Sequence, residues 1–406
     1  MKVAIVNDWI ANMGGAERVL LAVHDIFPDA PVYCTLVKEG NLSPEMRELD
    51  IRTSFLQKIP FSGKLYQRCL PLAPLALEQF DLTEYEVVLS MNFSCAKGVI
   101  TRPDTTHICF CHTPMRYAWD MFHEYRDKEK LSSLSRVLMA PMMNYLRVWD
   151  YASAARVDYF VANSSAVARR IHKYYRRDCT IIPPPVQADF FTPNGVTRFE
   201  YYLYVSRLVR YKRADLAVEA FNQLGLPLVV VGDGPERKRL EAAAAPNIRF
   251  AGRVSEEALR EMYRGCKALI FPQEEDFGIV PLEAQACGRP VIAYGVGGAL
   301  DTVVPGATGV FFTEQSAESL VSAVRRFRDC DFDSSRIRGH ACAFDTEAFK
   351  NAFRAFVEQK HREHTAGMHS AGKSGAEWHG ANGGSAGAGR GSADRPEEEK
   401  LLVPGD

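Results

Sequence analysis

Residues 271–288 constrain the fold more than any other stretch of the chain. They follow a short apolar run at 268–271, which is typical of a buried strand in a parallel sheet. The segment 273–276 is acidic, and a helix is predicted to start near Gly278, with Pro281 in the first turn, where a missing N–H costs little. Open α/β sheets bind ligands at the carboxyl ends of their strands, beside helix N-termini. The stretch therefore predicts a ligand site on a parallel sheet.

Two carboxylates flank the predicted helix start, Glu275 on the loop and Glu283 about one turn into the helix. Both can therefore face one ligand. A phosphate bound to the free amides near Gly278 and Ile279 would have hydroxyl-binding carboxylates on either side. This arrangement predicts a nucleotide-sugar site. The alternative is a solvated acidic loop before an ordinary helix N-terminus that is stabilised by the helix dipole.

The length, the net charge and the apolar runs of the chain limit which classes of protein it can belong to. A chain of 406 residues is long enough for two or more domains, each with its own core. The net charge of −1 argues against a general nucleic-acid binder. No apolar run is long enough to span a bilayer, and residues 1–8 are predicted to form a first strand and not a signal peptide. We therefore expect a cytoplasmic protein.

The ten cysteines are scattered and are predicted to be free thiols in a reducing compartment. Strand alternation places Cys109 and Cys111 on one face, next to His112. One strand alone does not close a tetrahedral metal cage, and no second cysteine pair has zinc-finger spacing. We therefore expect no metal site at these residues.

The first half of the chain alternates strand-like and helical segments, as α/β domains do. Its first unit is a strand at 3–6, the pair Gly14 and Gly15, and a helix. The glycine pair is either a tight turn or a loop that approaches an acceptor or a phosphate closely, and it is not a G-x-G-x-x-G dinucleotide fingerprint. His112 follows a predicted strand at 107–111 and would face the same crevice. Further strand-like runs lie at 32–37, 86–89 and 98–100.

Two segments of the first half, 55–77 and 131–149, mix large apolar side chains with basic ones. The second segment contains no acidic residue. A basic amphipathic segment with aromatic side chains can lie on an anionic membrane surface. The alternative is that both segments are core-facing parts of the first domain, and both interpretations stay open.

The second half of the chain begins after the prolines at 183–185, which neither a helix nor a central strand accommodates. A predicted strand at 201–205 is followed by Arg207 and Lys212. At a strand end, the arginine could donate two hydrogen bonds to a diphosphate and the lysine could place a single positive charge beside it. The alternative is a basic surface turn. Gly232 follows the next predicted strand. The repeated strand–turn–helix units predict a second Rossmann-like domain.

The motifs of the second half occur together in a known family. In chain order they are Ser206 and Arg207 with Lys212, then 232–235, then 252–254, then Glu275 and Glu283 in E-x7-E spacing. They resemble the retaining glycosyltransferases of family four, whose α/β fold, GT-B, has two Rossmann-like domains facing a central cleft. The first half matches more loosely, through 14–17 and 111–117. The resemblance covers roughly residues 1–360 and is to the branch with bacterial mannosyltransferases of polysaccharide and O-antigen assembly.

The resemblance implies a domain organisation. Residues 1–190 would form an acceptor-binding Rossmann-like domain, and residues 191–344 a nucleotide-sugar-binding one. Residues 345–362 would form a helix that crosses back to the first domain. Residues 363–406, rich in Gly, Ser and Ala, would form a disordered tail.

The resemblance also implies roles for single residues. The catalytic residues would be Arg207, Lys212, Glu275 and His112. The donor-binding residues would be Glu283, Gly278, Ile279, Phe277, Arg253, Val254, Gly232 and Gly15. The acceptor-side residues would be Gly14, Glu17, Arg116 and Tyr117. In this scheme Arg207 and Lys212 neutralise the donor diphosphate. Glu275 binds the sugar hydroxyls, and Glu283 binds the ribose.

By the same resemblance, the protein would transfer a hexose, with mannose from GDP-mannose preferred, to a glycan or a lipid-linked saccharide. It would retain the anomeric configuration and need no cofactor besides the nucleotide sugar as co-substrate. It would need no metal, because arginine and lysine supply the positive charge. The reaction would involve no nucleic acid. The protein would lie in the cytoplasm or at the cytoplasmic face of the inner membrane. The alternatives are an NAD-dependent oxidoreductase, a membrane-docked module without catalysis, and a phosphorylase or epimerase of the same fold.

Overall fold

The computed structural model describes residues 1–11, 13–59, 66–123, 133–195, 200–328 and 330–376. Residues Met1–Arg362 form one compact unit, and a second unit begins at Glu363. The first unit contains two parallel sheets, one from each half of the chain. This confirms the predicted α/β class with two Rossmann-like domains.

The first sheet has seven strands in the order β3-β2-β1-β4-β5-β6-β7, all parallel to their neighbours. They are β1 (Val3–Asn7), β2 (Val32–Cys34), β3 (Ile51–Thr53), β4 (Val87–Asn92), β5 (Thr106–Cys111), β6 (Tyr159–Ala162) and β7 (Cys179–Ile181). Every residue of β1, β4 and β5 is buried, as expected for central strands covered on both faces. The strand order reverses between β1 and β4, which creates a topological switch point there.

The second sheet has six parallel strands in the order β10-β9-β8-β11-β12-β13. They are β8 (Tyr201–Val205), β9 (Leu228–Val231), β10 (Ile248–Gly252), β11 (Cys266–Phe271), β12 (Val291–Tyr294) and β13 (Gly309–Phe312). The chain proceeds from β8 to one edge and from β11 to the other. The switch point of this sheet therefore lies between β8 and β11.

Helices alternate with the strands in both domains. Those of the first domain are α1 (Gly15–Ile26), α2 (Pro44–Arg47), α3 (Ala73–Glu78), α4 (Ser133–Ala154) and α5 (Ser165–Tyr175). Those of the second are α6 (Ala214–Leu224), α7 (Arg237–Ala243), α8 (Glu256–Gly265), α9 (Ile279–Ala286), α10 (Ala299–Thr302), α11 (Ala317–Phe327) and α12 (Ser334–Cys342), and α13 (Thr346–Ala376) follows them. Serine caps start α5 and α8, where Ser164 and Ser255 accept backbone N–H groups.

The last helix, α13, packs on the first sheet. Phe349, Phe353 and Val357 lie four residues apart on one helical stripe and are buried in the core of the first domain. The rings of Phe349 and Phe353 contact Phe110 of β5 edge-on, with centroids 5.9 and 5.8 Å apart. The chain thus returns from the second domain and packs on the first.

Three parts of the chain differ from the sequence expectation. Residues 98–100 are not a strand, because Gly98 ends a short 3-10 turn. The ring of Trp149 packs against this glycine, and a Cβ there would lie 2.2 Å from the ring. The short edge strands β3 and β7 were not predicted. The last helix continues to Ala376, so residue 363, the predicted start of the disordered tail, lies inside it.

Some predictions concern residues outside the described part of the chain. Residues 377–406 of the predicted tail belong to this group. So do 60–65 and 131–132, which are parts of the two segments considered for membrane contact.

Candidate functional site

The switch point of the second sheet holds two of the four side chains that the motif resemblance assigns to catalysis. Lys212 ends a 3-10 turn, Arg210–Lys212, that follows β8, and Glu275 lies in the loop after the neighbouring strand β11. Because the connections from β8 and β11 diverge, a crevice opens between the two loops. Lys212 and Glu275 lie at this crevice, although 63 positions separate them in the chain.

Lys212 and Glu275 form a close ion pair. Nζ of Lys212 donates to Oε1 of Glu275 over 2.6 Å, and Nε2 of Gln273 donates to the same oxygen over 3.0 Å. Burial by itself would raise the pKa of Glu275, but Lys212 and Gln273 together lower it. Burial would also lower the pKa of Lys212, but the carboxylate raises it. Both groups are therefore charged at neutral pH.

Glu283, the second carboxylate of the motif, is held by side chains from both domains. Its Oε1 accepts from Nη1 of Arg18 over 2.9 Å, and its Oε2 accepts from the hydroxyl of Tyr263 over 2.9 Å. Arg18 also pairs with Glu256. Burial raises the pKa of Glu283, and Arg18 and Tyr263 only partly offset this effect. The N-terminal turn of α1 therefore reaches the predicted ribose-binding carboxylate.

The start of α9 approaches the glycine pair of the first domain. Gly278 precedes the helix with a φ of 94°, a left-handed conformation that suits glycine. A Cβ on Gly15 would lie 3.0 Å from Cδ1 of Ile279, the first residue of α9. Phe277 is buried behind this turn. The predicted donor-binding residues Gly15, Gly278 and Ile279 are thus brought together from the two domains.

His112 lies at the carboxyl end of β5, where the sequence predicted it. Burial lowers its pKa to about 4, so the imidazole is neutral at physiological pH. Its Nε2 is buried and has no hydrogen-bond partner among the described residues. Its backbone oxygen accepts from Nδ2 of Asn163 over 2.9 Å, which ties the end of β5 to the end of β6.

Several other buried polar atoms at strand ends have no partner in the part of the chain that the structure describes. They are Asn7 Oδ1, Thr113 Oγ1, Asn163 Oδ1 and Gln273 Oε1. Native proteins leave few buried polar atoms unpaired, because each such atom costs about 1–3 kcal/mol. Unpaired oxygen atoms beside His112 and Glu275 suit the hydroxyl groups of a saccharide, which donate as well as accept.

The remaining predicted donor residues lie at neighbouring strand ends. Arg207 is exposed in the loop after β8. Gly232 follows β9, and a Cβ there would lie 1.9 Å from the carbonyl oxygen of Ser206, so the two loops touch through backbone. Arg253 and Val254 follow β10 and are exposed and half-buried, respectively. No described contact joins Arg207 or Arg253 to Glu275.

The predicted acceptor-side residues have different surroundings. Gly14 precedes α1, and burial raises the pKa of Glu17 in its first turn to about 7. The hydroxyl of Tyr117 lies 2.5 Å from Oγ of Ser94. The guanidinium of Arg116, which was predicted to face the acceptor, is already paired with the second domain. Its Nη1 lies 3.3 Å from Oδ1 of Asp276.

Four residues at the site were not predicted from the sequence. They are Arg18, Arg170, Gln273 and Asp276. Gln273 precedes Glu275 by two positions in a strand-end loop, so local spacing was a usable signal. Arg18 and Arg170 act across the domain boundary, on Glu283 and on Asp276. Local sequence carries no signal for such contacts.

The described residues contain no group of three or more His, Cys, Asp or Glu side chains arranged to hold a metal ion. Cys109 and Cys111 are buried free thiols, as are most of the ten cysteines, and His112 lies beside them in the chain without a shared ligand geometry.

Comparison with known proteins places the chain in a family. The model described as Glycosyltransferase Family 4 matches residues 13–190, and the model described as Glycosyl transferases group 1 matches residues 187–340. A D-inositol 3-phosphate glycosyltransferase of Geodermatophilus obscurus is 32% identical over 228 residues, or 48% of this chain and 50% of the relative. The chain thus spans about half the length of the curated relatives it matches.

Solved structures show the same fold at low sequence identity. The Anabaena protein HepE in complex with UDP has a TM-score of 0.64 at 17% identity and covers 88% of this chain and 100% of its own. A sucrose-phosphate synthase of Thermosynechococcus elongatus has a TM-score of 0.67 at 19% identity, with coverages of 88% and 99%. With two family models that together match residues 13–340, the chain belongs to the GT-B superfamily of group 1 and family 4 glycosyltransferases.

Proposed function

We propose that this protein transfers a hexose from a nucleoside diphosphate sugar to a glycan or a lipid-linked saccharide. The observation that carries the proposal is the Lys212–Glu275 pair, held at 2.6 Å at the switch point of the second sheet. A cation for phosphate and a carboxylate for sugar hydroxyls lie there side by side. Membership of the superfamily supports the same class of reaction.

Lys212 and Arg207 would stabilise the leaving group. Negative charge grows on the diphosphate as its bond to the anomeric carbon breaks. A cation that is already in place stabilises this charge without reorganisation. Lys212 is suited to the task, because Glu275 keeps it protonated and fixed. Arg207 is exposed at the same strand end and would add a planar fork for two phosphate oxygens.

Retention of configuration and independence from metal belong to the proposal through the motif resemblance. The bond from the anomeric carbon to the phosphate oxygen breaks, and a bond to the acceptor oxygen forms on the same face. The departing phosphate takes the proton of the acceptor hydroxyl, so no protein nucleophile is required. Glu275 fits a binding role in this scheme, since one of its oxygens already accepts from Lys212 and Gln273.

Mannose from GDP-mannose is the donor we propose first. Its support is the resemblance of the motifs of both halves, taken together, to the branch of the family with bacterial mannosyltransferases. UDP-sugars are the competing donors, since the structural neighbour HepE was solved with UDP.

We include contact with an anionic membrane surface, at its cytoplasmic face, in the proposal. Helix α4 has two different faces. Met143 and Leu146 are buried in the first-domain core, whereas Val137, Val148 and Tyr151 are 70%, 61% and 54% exposed. The exposed apolar side chains follow a helical stripe that suits the headgroup region. No helix in the described ranges is long and apolar enough to cross a bilayer.

The test is a thermal-shift and transfer experiment on the full chain, without added metal. The panel contains GDP, UDP, ADP, their mannose or glucose conjugates, and NAD. A ligand at about a hundredfold its Kd adds roughly 2.7 kcal/mol of stability. A shift with GDP-mannose, followed by GDP release with an acceptor, supports the proposal. A shift with UDP-sugars keeps the reaction class and replaces the donor. A shift with NAD alone, or binding without transfer to any acceptor, contradicts it.

A further inference from the structure

We propose that a cavity beside the Lys212–Glu275 pair binds an anionic group on the acceptor saccharide. The inference rests on the proposed transfer reaction. The cavity has a volume of about 590 Å³ and lies between the two domains. Its lining includes Arg116 and Met121 from the first domain and Arg210, Tyr211, Arg239 and Glu274 from the second.

The cavity adjoins the catalytic pair through chain neighbours. Tyr211 lines it and directly precedes Lys212, and Glu274 lines it and directly precedes Glu275. An acceptor must bring one hydroxyl group to the carbon held beside Glu275. A saccharide whose reacting end lies at the pair would therefore extend into this space.

Most charged side chains around the cavity already have partners. Arg213 contacts Asp215 at 3.2 Å and donates to Oε1 of Gln315 over 2.8 Å. Arg239 pairs with Glu236 at 2.7 Å. The opposite charges in these pairs largely cancel, so the pairs contribute little net electrostatic field to the cavity.

Arg210 differs from them. Its side chain is exposed, lines the cavity, and has no hydrogen-bond or ion-pair partner among the residues the structure describes. The nearby carboxylate of Glu274 is already paired with Arg170, at 3.5 Å. The unpaired charge in the cavity is therefore the positive charge of Arg210. Its planar guanidinium can donate two parallel hydrogen bonds to a phosphate or a carboxylate.

Tyr211 supplies the second element of the site. Its side chain is 41% exposed, and Nζ of Lys212 lies 5.2 Å from the ring centroid. An exposed aromatic ring offers an apolar surface on which the C–H face of a sugar ring can pack. Tyr211 and Arg210 together would therefore bind one sugar ring and one acidic substituent. The shared ligand chemistry is an anionic group with equivalent oxygens, either the carboxylate of a uronic acid or a phosphate on a sugar or lipid carrier.

The experiment measures binding of three probes to the full chain by calorimetry, with the donor site first filled by the nucleoside diphosphate that binds best. The probes are methyl glucuronide, methyl glucoside 6-phosphate and neutral methyl glucoside. An anionic probe should bind about tenfold more tightly than the neutral one, as expected for one charge-assisted contact. Arg210→Ala and Arg210→Gln should remove the preference, and Tyr211→Ala should weaken all three probes.

The matched control is Arg249→Ala, an exposed arginine on β10, which should leave every affinity unchanged. A preference for phosphate alone or for carboxylate alone supports the inference and identifies the source. Equal affinity for all three probes, or a preference that survives both Arg210 variants, overturns it. Nucleotide binding is measured separately, so failure of the proposed donor reaction remains distinguishable from failure of this site.

Discussion

The guanidinium of Arg18 in the first domain and the carboxylate of Glu283 in the second form a hydrogen-bonded ion pair of 2.9 Å. The side chain of Glu283 is 7% exposed and that of Arg18 is 28% exposed. This contact joins the two domains at the carboxylate that the motif resemblance assigns to the donor ribose. Donor binding would therefore change the surroundings of Arg18.

Arg18→Gln should destabilise the protein by about 1–2 kcal/mol, because it leaves Glu283 buried without its cation. The value is below that of a fully buried pair, since water already reaches Arg18. The measurement is urea unfolding of the variant and the wild type. Arg102→Gln, which breaks an exposed pair with Asp104, is the control and should cost no more than about 0.5 kcal/mol. If the two substitutions lower the free energy of unfolding equally, the interdomain pair stabilises the protein no more than an exposed surface pair does.

Lys212→Gln and Glu275→Gln should each lower the transfer rate by at least about 100-fold, since each removes a charge held for the reacting groups. Each should also destabilise the fold, because the partner charge stays partly buried and unpaired. The double variant should be more stable than the sum of the single effects predicts. Lys267→Gln, an exposed lysine on β11, serves as the control for both readouts. Transfer within tenfold of wild type for either single variant would remove the pair from the mechanism.

Arg207→Lys should weaken binding of the nucleoside diphosphate about tenfold, because an ammonium does not reproduce the planar fork. Stability should stay within about 0.5 kcal/mol, since the residue is exposed. Calorimetric titration measures the affinity, and Arg249→Lys is the matched control. An unchanged affinity would mean that Arg207 does not contact the diphosphate.

Asp276→Asn should lower both stability and turnover. Asp276 accepts Arg116 at 3.3 Å and also pairs with Arg170, so two arginines of the first domain hold the loop that carries Glu275. Loss of the charge should cost about 1–3 kcal/mol, and kcat should fall more than nucleotide affinity, because the loop and not the nucleotide site is released. Asp331→Asn, on the exposed surface, is the control. A fall in nucleotide affinity with unchanged kcat would contradict this role.

The pH dependence of stability should report His107. Burial lowers its pKa to about 4, whereas an unfolded histidine titrates near about 6.5. Between these values the unfolded state binds more protons, so the contribution of this residue to stability rises with pH and is lost as the pH falls from about 6.5 to 4. His107→Gln should remove a slope of up to about 1.4 kcal/mol per pH unit in this window. Denaturant unfolding from pH 4 to 8 measures it, and parallel profiles for the variant and the wild type would contradict the assignment.

Much of the fold was predictable because its signals are local. Every residue of β5 and residues 268–271 of β11 are buried, so these central strands appear in the sequence as short apolar runs. The edge strands β3 and β7 were missed, since each has only three residues and an exposed or half-buried surface. The end of α13 was placed too early, because the composition changes within the helix before the helix itself ends.

The sequence by itself determined the α/β class, the two sheets and the positions of Lys212, Glu275 and Glu283 at strand and helix ends. These features follow from apolar runs and helix starts that span about ten residues each. Only the tertiary structure decided which side chains meet there. The pairing of Arg18 with Glu283 and of Asp276 with Arg116 and Arg170 spans 265, 160 and 106 positions respectively. Such contacts depend on how two separately folded sheets face each other, and no local pattern encodes that geometry.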